Sequence, residues 1–269
     1  MHKNISATSI GKLILGAWTA THFCIAAAAP LSSAFATDAA ACAQLKSDHV
    51  MQAGAPVTCE QLQTVRFSFI DFDGKLHDDG EVMVMAAVAP QVQAIFEELL
   101  ARRLPIKQAR LMGHYHGDDD ASMADNNTSA FNDRAMTGGG ALSLHAYGLA
   151  IDLNPLQNPY INRNKQGAPE VSPPAGQPYT ARTKMRPGMV NQQIADVFAQ
   201  HGFFIWGGNW KQPIDYQHFQ VSRKMAERLA ALPSDQARKV FESSIIAYGH
   251  CMKNEQSNMK ARVACVNDK

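Results

Sequence analysis

The sequence predicts an α+β fold, a small mainly antiparallel sheet flanked by helices. Three observations carry that expectation. Two short segments with strand-like apolar spacing, residues 65–70 and 81–85, flank a turn and read as a hairpin. A helix-spaced run at residues 89–103 follows them directly. The remainder has neither internal repeats nor the regular β-α alternation of a parallel, doubly wound sheet.

Taken in order, residues 37–63 read as an N-terminal helical arm carrying the first cysteine pair. Val65-Arg66-Phe67-Ser68-Phe69-Ile70 alternates until Ile70, as a half-buried strand does. Asp71-Phe72-Asp73-Gly74-Lys75 supplies the turn, and Glu81-Val82-Met83-Val84-Met85 the second strand. Val92, Ile95, Phe96, Leu99 and Leu100 then lie on one helix face, which Pro105 terminates. A further strand is expected at 106–112. The polar stretch 113–140, rich in Asp, Asn, Ser and Gly, is expected to be an ordered functional loop or a flap. Residues 154–187 are irregular, 191–200 a short amphipathic helix, 203–222 strands around Gly207-Gly208, and 223–248 mainly helical.

Composition narrows the function classes. The chain has 269 residues with 25 bases against 24 acids, a formal charge of +1. That balance lacks the electrostatic footprint of a nucleic-acid binder, and 46% hydrophobic content excludes a disordered chain. The opening segment carries Lys3 and Lys12, an apolar run at 13–31, and Ser33-Ala34-Phe35-Ala36 with small residues at −3 and −1. This is the layout of a secretory leader over residues 1–36, with an uncleaved anchor as the competing reading. Its removal leaves 23 bases against 24 acids and no later apolar run long enough to span a membrane. The protein is then expected to be secreted, in a periplasm-like compartment, as a monomer.

Cysteine usage agrees with export. Cys24 leaves with the leader, and Cys42, Cys59, Cys251 and Cys265 remain. Four cysteines allow three connectivities, and of these the two local disulfides Cys42–Cys59 and Cys251–Cys265 are the expected pairing. The mature domain, 37–269, divides into the arm at 37–63, a core at 64–222 and a helical extension at 223–269.

Two short clusters concentrate the chemistry. One is Ser143-Leu144-His145-Ala146-Tyr147-Gly148-Leu149-Ala150-Ile151-Asp152, the other Asp215-Tyr216-Gln217-His218. On one helix His145 and Asp152 would stand about 10 Å apart along the axis, and on one strand an odd offset would separate their faces. They converge only if the chain bends between them, and Gly148 permits the bend. A lone carboxylate in the apolar run Leu149-Ala150-Ile151-Asp152-Leu153 needs a partner, and a metal is a suitable one. Two imidazoles and a carboxylate leave a fourth position open, as catalytic zinc sites do. Asp215 is close enough in sequence to serve as a proton acceptor. A Ser143–His145–Asp152 triad is the competing reading, without a G-x-S-x-G elbow to support it.

Ser143-x-His145-x-x-Gly148-x-Ala150-x-Asp152 with Asp215-x-x-His218 resembles the signature of the VanY-like D-Ala-D-Ala carboxypeptidase and L-Ala-D-Glu endopeptidase family. The resemblance runs from about residue 65 to 220. It includes Phe72-Asp73-Gly74, the stretch from Asn126 to Arg134, Asn154-Pro155-x-x-Asn158-Pro159 and Trp206-Gly207-Gly208. It implies a zinc peptidase acting on peptidoglycan peptides, with Zn2+ in a cleft over the sheet. It further implies that His145, Asp152 and His218 are the ligands, Asp215 the general base and Arg134 the oxyanion-stabilising cation. Ser143 would orient the ligand loop. Tyr147, Trp206 and Trp210 are candidates for the substrate cleft, with core packing as the competing reading of each. The resemblance also implies a tilt toward the endopeptidase branch, which often has aspartate at the position of Asp215 where the carboxypeptidase and dipeptidase branches usually carry glutamate. The competing class is a non-catalytic module that holds cell-wall peptide on the same fold.

Other clusters receive plainer readings. His114-x-His116 reads as surface histidines, and Asp118-Asp119-Asp120 as a solvated or flap-anchoring run without calcium-loop spacing. Met83, Met85, Met112 and Met123 read as core filler.

Overall fold

The computed structural model describes residues 39–137, 139–164, 166–254 and 259–267; the expected leader at 1–36 lies outside the described residues. Among the described residues no helix is long and apolar enough to cross a membrane. Helix α1 (Ala39–Ser47) opens the arm. Strands β1 (Leu62–Ile70) and β2 (Leu76–Met85) form an antiparallel hairpin whose register runs from Leu62 opposite Met85 to Ile70 opposite Leu76. Both strands are longer than the alternating sequence alone marks.

Helix α2 (Ala89–Ala101) lies on that hairpin. Its buried stripe is Val92, Ile95, Phe96 and Leu99, and Phe96 stacks on Phe67 of β1 at 3.6 Å between ring centroids. Each such side chain contributes about 1.5–3 kcal/mol on leaving water. The expected strand at 106–112 shrinks to β3 (Gln108–Ala109), and Met112–Tyr115 is a 3-10 turn instead. The reason is local: the Arg110 backbone N–H donates to the Asn127 side-chain oxygen at 2.8 Å, so the ladder stops. Helix α3 (Asp119–Ala124) and strand β4 (Asn127–Thr128) occupy the polar stretch, with β4 parallel to β3.

The antiparallel pairing is divided among small sheets rather than gathered in one. Strand β5 (Ala150–Asp152) precedes β6 (Tyr160–Arg163) and β7 (Pro169–Ser172). Helix α4 (Gln192–Gln200) is followed by β8 (Ile205–Trp206), β9 (Ile214–Asp215) and β10 (His218–Gln220). Strand β10 lies between β5 and β8, and β6 lies between β7 and β9. The mixture of helices and small sheets bears out the α+β expectation.

Asn191 caps α4 by accepting from the Ile194 N–H at 3.0 Å, and Phe198 of that helix stacks on Phe219 of β10 at 3.6 Å. Strand alternation then turns His218 and Gln220 to the face opposite Phe219. Helices α5 (Arg223–Ala230), α6 (Ser234–Asn254) and α7 (Met259–Asn267) form the C-terminal extension. Both expected disulfides are present: Cys42–Cys59 closes the arm, and Cys251–Cys265 ties α6 to α7. The arm also grips the core beyond its disulfide. Gln52 N–H donates to the Asp133 carboxylate and Asp133 N–H to the Val50 carbonyl, both at 2.9 Å.

Candidate active site

His145 sits on a 3-10 turn, Leu144–Tyr147, capped at its start by Ser143, whose hydroxyl accepts from the His145 N–H at 3.3 Å. Gly148 ends the turn at φ +64°, and the chain then enters β5. A side chain at Gly148 would need a positive φ and would put its Cβ 2.5 Å from the Met85 backbone nitrogen. The bend that brings His145 back to Asp152 therefore requires glycine on both grounds.

Asp152 and His218 are cross-strand partners of β5 and β10, so their side chains leave the sheet on the same face. His218 Nδ1 lies 2.8 Å from Asp152 Oδ1, and His145 Nε2 lies 3.2 Å from both Asp152 Oδ2 and His218 Nδ1. All three residues are buried, at 2%, 4% and 7% exposure for His145, Asp152 and His218.

The outer nitrogens of the two imidazoles fix what the inner ones offer. His145 Nδ1 faces the Ala130 carbonyl oxygen at 2.5 Å, an acceptor that requires an N–H there. His218 Nε2 meets the Gln220 amide oxygen at 2.8 Å. Each ring thus turns a lone pair inward, beside a carboxylate, and such a convergence of acceptors calls for a cation. Without metal, a proton on His218 answers it. Burial pushes that imidazole down, but the Asp152 charge and hydrogen bond, with Asp215 behind them, lift it to about 9. Burial raises the Asp152 carboxyl, yet the two imidazoles hold it well below the usual carboxylate range.

The donor set also fits zinc. Donors around one tetrahedral zinc at ~2.0–2.1 Å stand about 3.3 Å apart, close to the 3.2, 3.2 and 2.8 Å separations here. Among the described residues this is the one group of three or more potential ligands whose donor atoms converge, all within 4.8 Å of one another. His114 pairs with Arg110, and His116 is exposed near Asp48.

The group opens onto a cleft of about 490 Å³ whose walls include Asp119, Arg134, Trp210, Asp215 and Gln217. Asp215 Oδ1 is buried without a hydrogen-bond partner. Burial pushes the Asp215 carboxyl up to about 7, with the His218 charge opposing and Asp152 reinforcing the rise. Gly207 allows its close seat: a Cβ there would lie 2.5 Å from the Asp215 carbonyl oxygen. Arg134 Nη2 pairs with Asp119 Oδ2 at 2.7 Å, and its Nε is buried and unpartnered. Asp118 caps α3 through the Ala121 N–H, so the acidic run is an anchor for Arg134 rather than an ion site.

Three expectations need correction. Tyr147 is buried in the main core, because with three residues per 3-10 turn a place two residues after His145 points it elsewhere. Trp206 packs beside Phe219 and donates its Nε1–H to the Tyr216 carbonyl at 2.9 Å, leaving Trp210 as the tryptophan of this cleft. Met123 is a cleft residue, whereas Met83, Met85 and Met112 are core. The triad reading fails because both ring nitrogens of His145 are engaged away from Ser143. Sequence reasoning missed Gln220, Asp119 and the Ala130 carbonyl. Strand alternation from His218 could have found Gln220, but nothing local marks the other two.

Residues 137–221 match the family model described as D-alanyl-D-alanine carboxypeptidase. The VanY-like resemblance is thereby borne out over that segment, which holds His145, Asp152, Asp215 and His218. The carboxypeptidase match begins just beyond Arg134 and Asp119. No curated protein and no solved structure matches the chain.

Proposed function

We propose that this chain is an exported zinc metallopeptidase hydrolysing peptidoglycan peptides, of L-Ala-D-Glu endopeptidase or D-Ala-D-Ala carboxypeptidase type. The observation that carries the reading is the buried His145–Asp152–His218 group, set in one cleft with Asp215 and Arg134. Zinc held there would supply Lewis-acid polarisation and an ionisable water near neutral pH.

The remaining steps fall to side chains of the chain itself. Asp215, lifted to about 7, takes a proton from the attacking water and returns it to the leaving amine. Its unpartnered Oδ1 is the atom that holds that proton. The Arg134 guanidinium stabilises the carbonyl oxygen as negative charge develops on it, while Asp119 fixes the guanidinium. Ser143 and Gln220 hold the ligand histidines in orientation. Asp215 in place of glutamate supports the endopeptidase type. Lys3, Lys12, the small residues before position 37 and the two disulfides support a leader and export.

Digestion of purified sacculi with and without a chelator, read by mass spectrometry, tests the proposal. A chelator-sensitive product is expected, with either a new break after L-Ala or loss of terminal D-Ala. Binding of wall peptide without any product would overturn it in favour of the non-catalytic module.

A further inference from the structure

Gln217 tempers the Asp215 carboxyl through a side-chain hydrogen bond and gives its amide oxygen a separate place in the cleft. It lies in the turn between β9 and β10, one residue before His218, and is 2% exposed. Its backbone carbonyl accepts from the Leu153 N–H at 3.0 Å, which fixes the Cα beside the β5–β10 ladder. Its side-chain Nε2 points at Met123 Sδ, 3.4 Å away on α3, and its Oε1 is buried without a hydrogen-bond partner. Turning the amide over would set its oxygen against the sulfur, itself only an acceptor, so the observed orientation is the favourable one.

Gln217 lines the cleft together with Asp215 and His218, and a buried neutral acceptor without a partner calls for a donor. The donor that a peptide carries at every residue is its main-chain N–H. We propose that Gln217 Oε1 accepts a hydrogen bond from one main-chain N–H of the bound peptide, near the scissile bond, and so sets the peptide's register in the cleft. This rests on the peptidase reading for the identity of the ligand. A site built to pair such a group rejects an analogue that lacks it, because its own acceptor is then left unpaired.

The test uses the full zinc-loaded protein with a synthetic stem pentapeptide and a series in which each amide is replaced in turn by an ester. Wild type is compared with Gln217→Met, which keeps the shape, and with Gln217→Leu, with melting curves to confirm folding. For the parent peptide, kcat/KM and calorimetric affinity in either variant are expected to fall about ten-fold, the size of one lost hydrogen bond. For one ester position, wild type and variants are expected to be equal. Unchanged affinity, or the same loss at every ester position, would overturn the proposal. Calorimetry separates the two readings: a wild type that binds the peptide with this ester pattern but never cleaves it retires the peptidase while Gln217 keeps its role. Cleavage without the pattern does the reverse.

Discussion

His218 and Asp152 stand directly opposite each other on β10 and β5, with Nδ1 and Oδ1 2.8 Å apart. The pairing makes strand register responsible for site geometry, since a one-residue slip would turn one partner to the other face. It also makes the site's charge state a matter of pH, because the carboxylate proposed as a metal ligand is the group that holds a proton on His218.

Metal-free protein is therefore expected to lose stability as pH rises. His218, raised to about 9, contributes stability fully below its unfolded value near 6.5, and that contribution disappears as pH climbs through about 9. Asp215, raised to about 7, acts in the same direction between about 4 and 7, since the unfolded chain releases that proton more readily. Asp152 is depressed, so its contribution is lost only as pH falls below about 4. Melting curves of chelated protein should peak at mildly acid pH and drop by about 5 °C or more towards pH 9. A flat profile from pH 5 to 9 would contradict this assignment.

Zinc must displace the His218 proton to bind. Its apparent affinity is expected to rise about ten-fold per pH unit up to pH 9 and to level off above it. Gln220→Ala removes the acceptor that orients His218 and should weaken zinc by about 10–100-fold. His145→Ala and Asp152→Ala should abolish stoichiometric binding. Competition against a chromophoric chelator measures all three.

Asp215→Asn keeps the shape of the cleft but removes the proton acceptor. Zinc content should stay at one per chain while kcat falls by about 10²–10⁴. Arg134→Gln should cost about 10²–10³ in kcat with zinc again retained. Loss of zinc in either variant would place that residue among the ligands instead.

Gly148→Ala should be among the most damaging single substitutions. It combines a left-handed φ of +64° with a backbone contact at 2.5 Å, and a loss of at least about 3 kcal/mol is expected. Urea denaturation measures it. Gly139→Ala, also at positive φ but in open space, should cost clearly less.

Much of this site was legible because its chemistry is local. The seven-residue offset of His145 and Asp152 demanded a bend, and Gly148 stood where one could form. The cysteine pairs were legible because each closes a short loop. Asp119 was not, since its partner Arg134 lies fifteen residues further along the chain and no spacing rule links the two. Tyr147 and Trp206 misled for the opposite reason: an aromatic beside a ligand in sequence need not share its direction in space. The division into small sheets was hidden too, because Asn127 takes up by side chain the hydrogen bonds a longer ladder would have used.

The bonds from Val50 and Gln52 to Asp133 make the N-terminal arm part of the frame around its neighbour, Arg134. The same stretch meets the ligand turn: the Asn132 N–H donates to the His145 carbonyl at 3.2 Å and the Ser143 N–H to the Arg134 carbonyl at 3.0 Å. Arm, guanidinium and ligand histidine thus share one footing, and a disturbance at any of them is felt at the other two.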